Sequence, residues 1–167
     1  MQRPEPIDRQ KQFGENEFIV SKTDLKGRIT YGNALFINIS GYTEAELLGA
    51  PHSILRHPDM PRAVFKLLWD RIQAQKEIFA YVKNLAKDGS YYWVLAQVTP
   101  SLDDQGQSIG YHSVRRRPKE SALEAIAPLY ARMLTLERDR GMEASAAFLM
   151  ETLQTKGVSY DAFIHSL

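Results

Sequence analysis

Lys87-Asp88-Gly89-Ser90 separates two apolar, β-branched and aromatic runs, 78–87 and 90–100, by a single tight turn. Asp103-Asp104-Gln105-Gly106 does the same between the second run and a third, 107–117. Asp and Gly supply the backbone conformations that short hairpin loops need, so these three runs read as successive antiparallel strands. Upstream, FIVSKT (18–23), the turn Asp24-Leu25-Lys26-Gly27 and the run 28–31 read as a further hairpin over residues 18–32. Between the two strand groups the pattern turns helical. Asn33 is placed to cap a short helix carrying Leu35, Phe36 and Ile39, which ends at Ser40-Gly41. Thr43 and Glu46 have capping-box spacing for a helix over 44–48, stopped by Gly49. Pro61 suits the first position of a longer helix, with Asp59 nearby as a cap and Val64, Leu67, Leu68 and Ile72 on one stripe up to Lys76. The expected fold is α+β: one five-stranded antiparallel sheet with helices gathered on one face.

Beyond Pro118 the composition shifts to helix formers. Leu123, Ile126, Ala127, Tyr130 and Leu134 form an apolar stripe over 119–138, Gly141 breaks the helix, and Ala146, Leu149, Met150 and Leu153 mark a second one. Ser159 is placed to cap a last turn presenting Phe163. The expected organisation is a lead-in or short cap over 1–17, a main domain over 18–118 and a helical extension over 119–167.

Composition removes several function classes. The 167 residues contain no cysteine, which excludes disulfides, zinc–cysteine and iron–sulfur sites, cysteine nucleophiles and a cysteinyl–flavin adduct. With 21 Lys and Arg against 20 Asp and Glu, the net charge of +1 lacks the basic excess of a nucleic-acid binder. No apolar run approaches a membrane span, and the polar N-terminus lacks the apolar core of a signal peptide, so a cytoplasmic location is expected. Neither a P-loop, a G-x-S-x-G elbow nor a G-x-G-x-x-G turn is present. The spacing of His52, His57 and Asp59 fits no two-histidine helix motif for a metal.

Three segments resemble PAS sensory domains: NALFINISGYTEAELLG (33–49), PHSILRHPDMP (51–61) and KNLAKDGSYYWV (83–94). The second, followed by Phe65 and Trp69, is similar to the FAD-binding PAS domains of aerotaxis receptors, and the likeness runs over 18–117. This resemblance implies that Arg56, His57 and Asp59 are needed for FAD. Their chemistry suits that role: a planar multi-donor cation for phosphate or a carbonyl edge, an amphoteric ring, and an acceptor for a ribityl hydroxyl. The bland alternative is that Asp59-Met60-Pro61 caps a helix while His57 packs beside it.

Trp69 lies either against a ligand ring or simply in the core. Asn84 and Asn33 are amides in apolar surroundings that need partners, which a ring edge would supply; Asn33 is also expected as a helix cap, and the bland reading of Asn84 is an exposed strand face. Trp93 joins the cofactor candidates, with Tyr91 on its side of the strand and Tyr92 and Val94 on the other. His52 is the remaining candidate, with a solvated loop histidine as its alternative. Alternation sends Arg116 to the face opposite Arg115 and Arg117, and this basic run reads as a solvated edge or as contacts to the next helix's carboxylates.

Aerotaxis receptors continue into a membrane anchor and a signalling coiled coil; here a short helical tail stands instead. The expected function is therefore a stand-alone redox or oxygen sensor, not an enzyme, that binds FAD and signals in trans to a partner protein, with homodimerisation expected. One alternative is a haem b gas sensor with His57 or His52 as axial ligand. The other is a ligand-free interaction module using the stripe 123–134.

Overall fold

Asp88 and Gly89 set one of the sheet's hairpin turns: the Asp88 carboxylate accepts from the Ser90 amide at 2.9 Å, and Gly89 adopts φ 91°, a backbone state that glycine takes without strain. In a computed structural model, which describes residues 2–167, this turn joins β3 (Ile78–Leu85) to β4 (Tyr91–Leu102). A second Asp/Gly turn, with Asp103 accepting from the Gln105 and Gln107 amides, leads into β5 (Ser108–Arg116). The first hairpin, β1 (Ile19–Thr23) and β2 (Ile29–Gly32), docks on the far side of β5. The sheet order is β2-β1-β5-β4-β3, and every neighbouring pair is antiparallel.

Helices α1 (Ala34–Ser40) and α2 (Glu44–Leu47), a 3-10 turn His52–Leu55 and α3 (Arg62–Gln73) cover one face. Asn33 caps α1 by accepting from the Phe36 amide, and Thr43 and Glu46 form the expected capping box on α2. Pro61 stands one position before α3 and provides no side-chain cap. Phe36, Ile19, Ile29, Leu55, Ile72 and Ile78 are fully buried between these layers, each contributing about 1.5–3 kcal/mol of apolar transfer energy.

The extension forms α4 (Glu120–Arg140), α5 (Met142–Lys156) and α6 (Tyr160–His165). It folds back against the other face and around the β3 edge, where Glu137 of α4 accepts from the Arg62 and Ala63 amides and Asp161 of α6 from Arg71 Nη1, all on α3. Tyr130 of α4 lies 6.1 Å from the Trp93 ring, and His165 lies edge-on to Phe79 at 4.7 Å. The buried stripe of α4 is Ala122, Ile126, Tyr130, Met133 and Glu137; Ala127 is exposed, because the helix presents a face turned slightly from the apolar pattern. Residues 7–11 strap the β3–β4 turn: the Ile7 amide donates to Gly89 O, the Tyr91 amide to Arg9 O and the Lys11 amide to Tyr91 O. Among the described residues no helix is long and apolar enough to cross a membrane.

Candidate functional site

Small side chains on the sheet leave a gap under α3. Val82, Val94, Ala96 and Val98 point from β3 and β4 toward the helices, with Ser21 and Ser113 beside them on β1 and β5. Register puts Val98 opposite Ser113 and Ala96 opposite Arg115, so small side chains flank the one long polar residue, Arg115. The result is a cavity of about 380 Å³, roofed by Phe65, Leu68, Trp69 and Ile72 of α3 and by His52 and Arg56. This lies within the range of small-molecule sites, ~300–1,000 Å³. Trp69 meets Tyr111 edge-on at 5.5 Å, and its ring edge passes over Gly27, where an added Cβ would stand 3.1 Å away. Gly27 also adopts φ 79°, so both conformation and space favour glycine there.

Arg115 is the polar anchor of the cavity. It is 2% exposed; its Nη2 donates to Ser21 Oγ at 2.5 Å, and its Nη1 lies 3.3 Å from His52 Nε2. Ser21 Oγ and His52 Nε2 are 3.2 Å apart, which closes a three-membered network. Burial, reinforced by the Arg115 charge, pushes His52 down to about 3, so its imidazole is neutral and Nε2 is the acceptor for Arg115. Burial likewise lowers Arg115, to about 10, which leaves it a cation at neutral pH. The Arg115 guanidinium also sits 4.9 Å from the Phe36 ring centroid.

Several buried donors have no partner. They include Nε of Arg115, Nε of Arg56 and Nδ2 of Asn84, all on cavity-lining residues. Buried polar groups are ordinarily hydrogen-bonded, so these atoms mark positions where a ligand's acceptors fit. Arg56 stacks on Phe65 with its guanidinium 3.8 Å from the ring centroid, and its backbone pairs with Asn84 in a single antiparallel bridge. The charged lining residues are Lys26, Arg56 and Arg115, and among the described residues no carboxylate lines the cavity. Among the described residues no cluster of three or more His, Asp or Glu side chains is arranged for a metal.

Four of the eight candidates thus meet in one cavity: His52, Arg56, Trp69 and Asn84. The other four lie elsewhere. His57 is buried but turned away, its Nδ1 accepting from the Asp59 amide at 3.0 Å and its ring edge-on to Tyr91. Partial burial raises the Asp59 carboxyl, but its bond to Lys83 Nζ at 2.9 Å and the charges around it together outweigh burial and hold its pKa below the usual value. His57 and Asp59 therefore brace the 56–61 segment that carries Arg56. Asn33 Oδ1 accepts from both Phe36 and Val20 amides and its Nδ2 donates to Phe18 O, so its amide is spent tying α1 to β1. Trp93 points to the opposite face, against Tyr130, because strand alternation opposes it to Val94.

Arg115 corrects the reading of the basic run as a solvated edge: it is buried in the cavity wall, while Arg116 alone is exposed. Alternation separates the two residues, but only the partners Ser21 and His52, distant in sequence, identify which face is inside. Ser21, Tyr111 and Ser113 also line the cavity, and none of them carries a local signal in the chain.

The profile of the PAS fold family matches residues 29–115, more than half of the chain. The aerotaxis receptor of Escherichia coli (strain K12) is 39% identical over 118 residues, which are 71% of this chain and 23% of the receptor. A nitrogen fixation regulatory protein of Klebsiella pneumoniae is 31% identical over 97 residues, 58% of this chain and 20% of that protein. The chain thus spans about a fifth to a quarter of these relatives. Among solved structures, the dark state of the blue-light photoreceptor Aureochrome1 LOV superposes with TM-score 0.56 at 26% identity, covering 72% of this chain and 84% of that one. A light-oxygen-voltage domain described with a flavin analogue superposes at TM-score 0.60 and 20% identity, covering 66% and 84%, and supports the fold alone. Sheet order, helix placement and the sequence match agree, and the chain belongs to the PAS fold family.

Proposed function

We propose that this PAS domain is a redox or oxygen sensor that holds FAD in the cavity beneath α3. The observation that carries the reading is a cavity with three cationic lining residues, no lining carboxylate among the described residues and unpartnered buried donors on Asn84, Arg56 and Arg115. A flavin ring fits such a site because its edge is rich in acceptors and its pyrophosphate is anionic. Asn84 and Arg115 would meet the ring edge, Trp69 and Phe65 would bound its faces, and Arg56 with Lys26 at the opening would face the phosphates. Similarity to an aerotaxis receptor and to light-oxygen-voltage domains supports the flavin class. When bound, the flavin supplies a ring whose charge and hydrogen-bonding capacity change with oxidation state.

The chain's own residues offer a route outward. Leu68, Trp69 and Ile72 line the cavity from α3, whose first amides are held by Glu137 of α4. A shift of α3 therefore reaches the C-terminal helices directly, and a ligand acts through such differential contacts. We place the output on those helices, toward a signalling partner in trans or a second copy of the chain, without catalysis. A haem reading gains less from the geometry: His52 Nε2 is engaged by Arg115 and Ser21, and His57 faces Asp59.

The test is an absorption spectrum of the full chain reconstituted with excess FAD and freed of unbound flavin, with Arg56→Ala and Asn84→Ala alongside. Paired flavin bands in the parent, weakened in both variants, are expected. A colourless parent would refute the reading, and a Soret band on addition of haem with no flavin uptake would replace it.

A further inference from the structure

We infer that Arg115 is a fixed counter-charge that makes the cavity hold reduced, anionic FAD more tightly than oxidised FAD; the inference rests on the flavin reading above. Among the described residues no ion pair includes Arg115. Its neighbours are the Ser21 hydroxyl, the neutral His52 ring, the Phe36 face and the Tyr92 phenol, which burial keeps protonated, and none of them carries negative charge. Burying an unpaired cation is costly, so the folded chain carries an electrostatic demand that only a ligand's negative charge meets.

Position separates this residue from the other two cations. Lys26 is exposed and Arg56 is half-buried, so solvent screens both, whereas Arg115 acts through the low-dielectric interior. Its unpartnered Nε is a donor left for the ligand. Reduction of the neutral flavin ring takes two electrons from a reductant and one proton from solvent, and leaves the ring with one negative charge near neutral pH. The electrons come from dithionite in the experiment below. A buried cation lowers the free energy of that charged product relative to the neutral ring. By linkage, tighter binding of the reduced form is the same quantity as a raised midpoint potential of the bound cofactor. The same difference in affinity is what would bias one conformation of the domain over another when the oxidation state changes.

Equilibrium dialysis of the full chain against oxidised FAD in air and dithionite-reduced FAD under argon measures the two affinities. The reduced form is expected to bind at least about tenfold tighter, the scale of one incompletely screened charge pair. Arg115→Lys is expected to keep the sign of that preference and Arg115→Gln to bring the ratio near one. Equal affinities in the parent, tighter oxidised binding, or an undiminished ratio in Arg115→Gln would overturn the inference. If Arg115→Gln does not fold, the two parent affinities decide by themselves. A parent that takes up FAD in neither state refutes the flavin reading itself, a result distinct from equal affinities, which refute only the role of Arg115.

Discussion

The Glu137 carboxylate, carried by α4, accepts the Ala63 amide at 3.0 Å and the Arg62 amide at 2.8 Å, and so caps a helix 74 residues earlier in the chain. Its side chain is 4% exposed, and the α3 N-terminus has no cap of its own because Pro61 offers none. A carboxylate at this end satisfies orphan amides and meets the positive end of the helix dipole. Glu137→Ala is expected to cost about 1–3 kcal/mol of stability, since two buried amides lose their acceptor, and Glu137→Gln about half of that. Asp59→Ala, at the residue that sequence alone suggests as the cap, is expected to change stability by less than about 0.5 kcal/mol beyond its exposed Lys83 pair. Urea denaturation of the three variants checks the order. Equal losses at Glu137 and Asp59 would contradict it.

The edge of β3 is closed by two phenols from the extension. Tyr130 Oη donates to Tyr81 O at 2.7 Å, and Tyr160 Oη donates to Phe79 O at 2.8 Å. These carbonyls belong to alternate residues and face away from β4, where an open edge would invite pairing with another chain. Burial pushes both phenols up in pKa, which keeps them protonated as donors across the working pH range. Tyr130→Phe is expected to cost about 1–2 kcal/mol, because a buried carbonyl loses its partner, and to speed amide exchange along β3. Tyr160→Phe should act in the same direction. Hydrogen exchange with mass spectrometry reads both, and unchanged protection of β3 in each variant would contradict the edge-capping role.

The two residue relationships above explain what the chain reveals by itself. Gly89, Asp103 and the Thr43–Glu46 pair act within four residues, so turns, caps and the three-strand meander were legible from local chemistry. Asn84 was legible as a polar residue set into an apolar strand. Arg115 was not, because a basic triplet looks solvated until Ser21, 94 residues away, and His52, 63 away, fold against it. Trp93 lies outside the cavity for a related reason: alternation opposes it to Val94 but does not say which face holds the cavity. The cap on α3 and the edge-closing tyrosines likewise come from the extension, which sequence alone left undocked.

Acid sensitivity should follow His52. Its folded pKa of about 3 lies below the ordinary 6.5, with burial the main cause and Arg115 the second. Between those values the unfolded chain binds the proton and the folded chain does not, so stability is full above about 6.5 and falls as pH drops toward 3. One such proton costs up to about 1.4 kcal/mol per pH unit. His57, lowered chiefly by burial, adds in the same direction. Urea midpoints at pH 7, 6 and 5 should therefore fall in the parent and fall less in His52→Asn. Parallel slopes would show that His52 takes up its proton in the folded state.

Trp69 and Trp93 are the only tryptophans, and the sheet separates them: Trp69 roofs the cavity, while Trp93 packs on Tyr130 across the sheet. A flavin bound beneath α3 would touch one ring and lie a sheet's thickness from the other, and both contact and energy transfer favour quenching of the nearer ring. Titration of FAD into Trp93→Phe, which keeps Trp69, is expected to quench most of the remaining tryptophan emission. In Trp69→Phe the fractional quenching should be clearly smaller. Saturation at the same FAD concentration in both variants would show that the site is intact in each, so a difference in amplitude reports distance and not affinity. Larger quenching in the variant that keeps Trp93 would put the flavin on the opposite face, against α4, and would remove the cavity from the proposal.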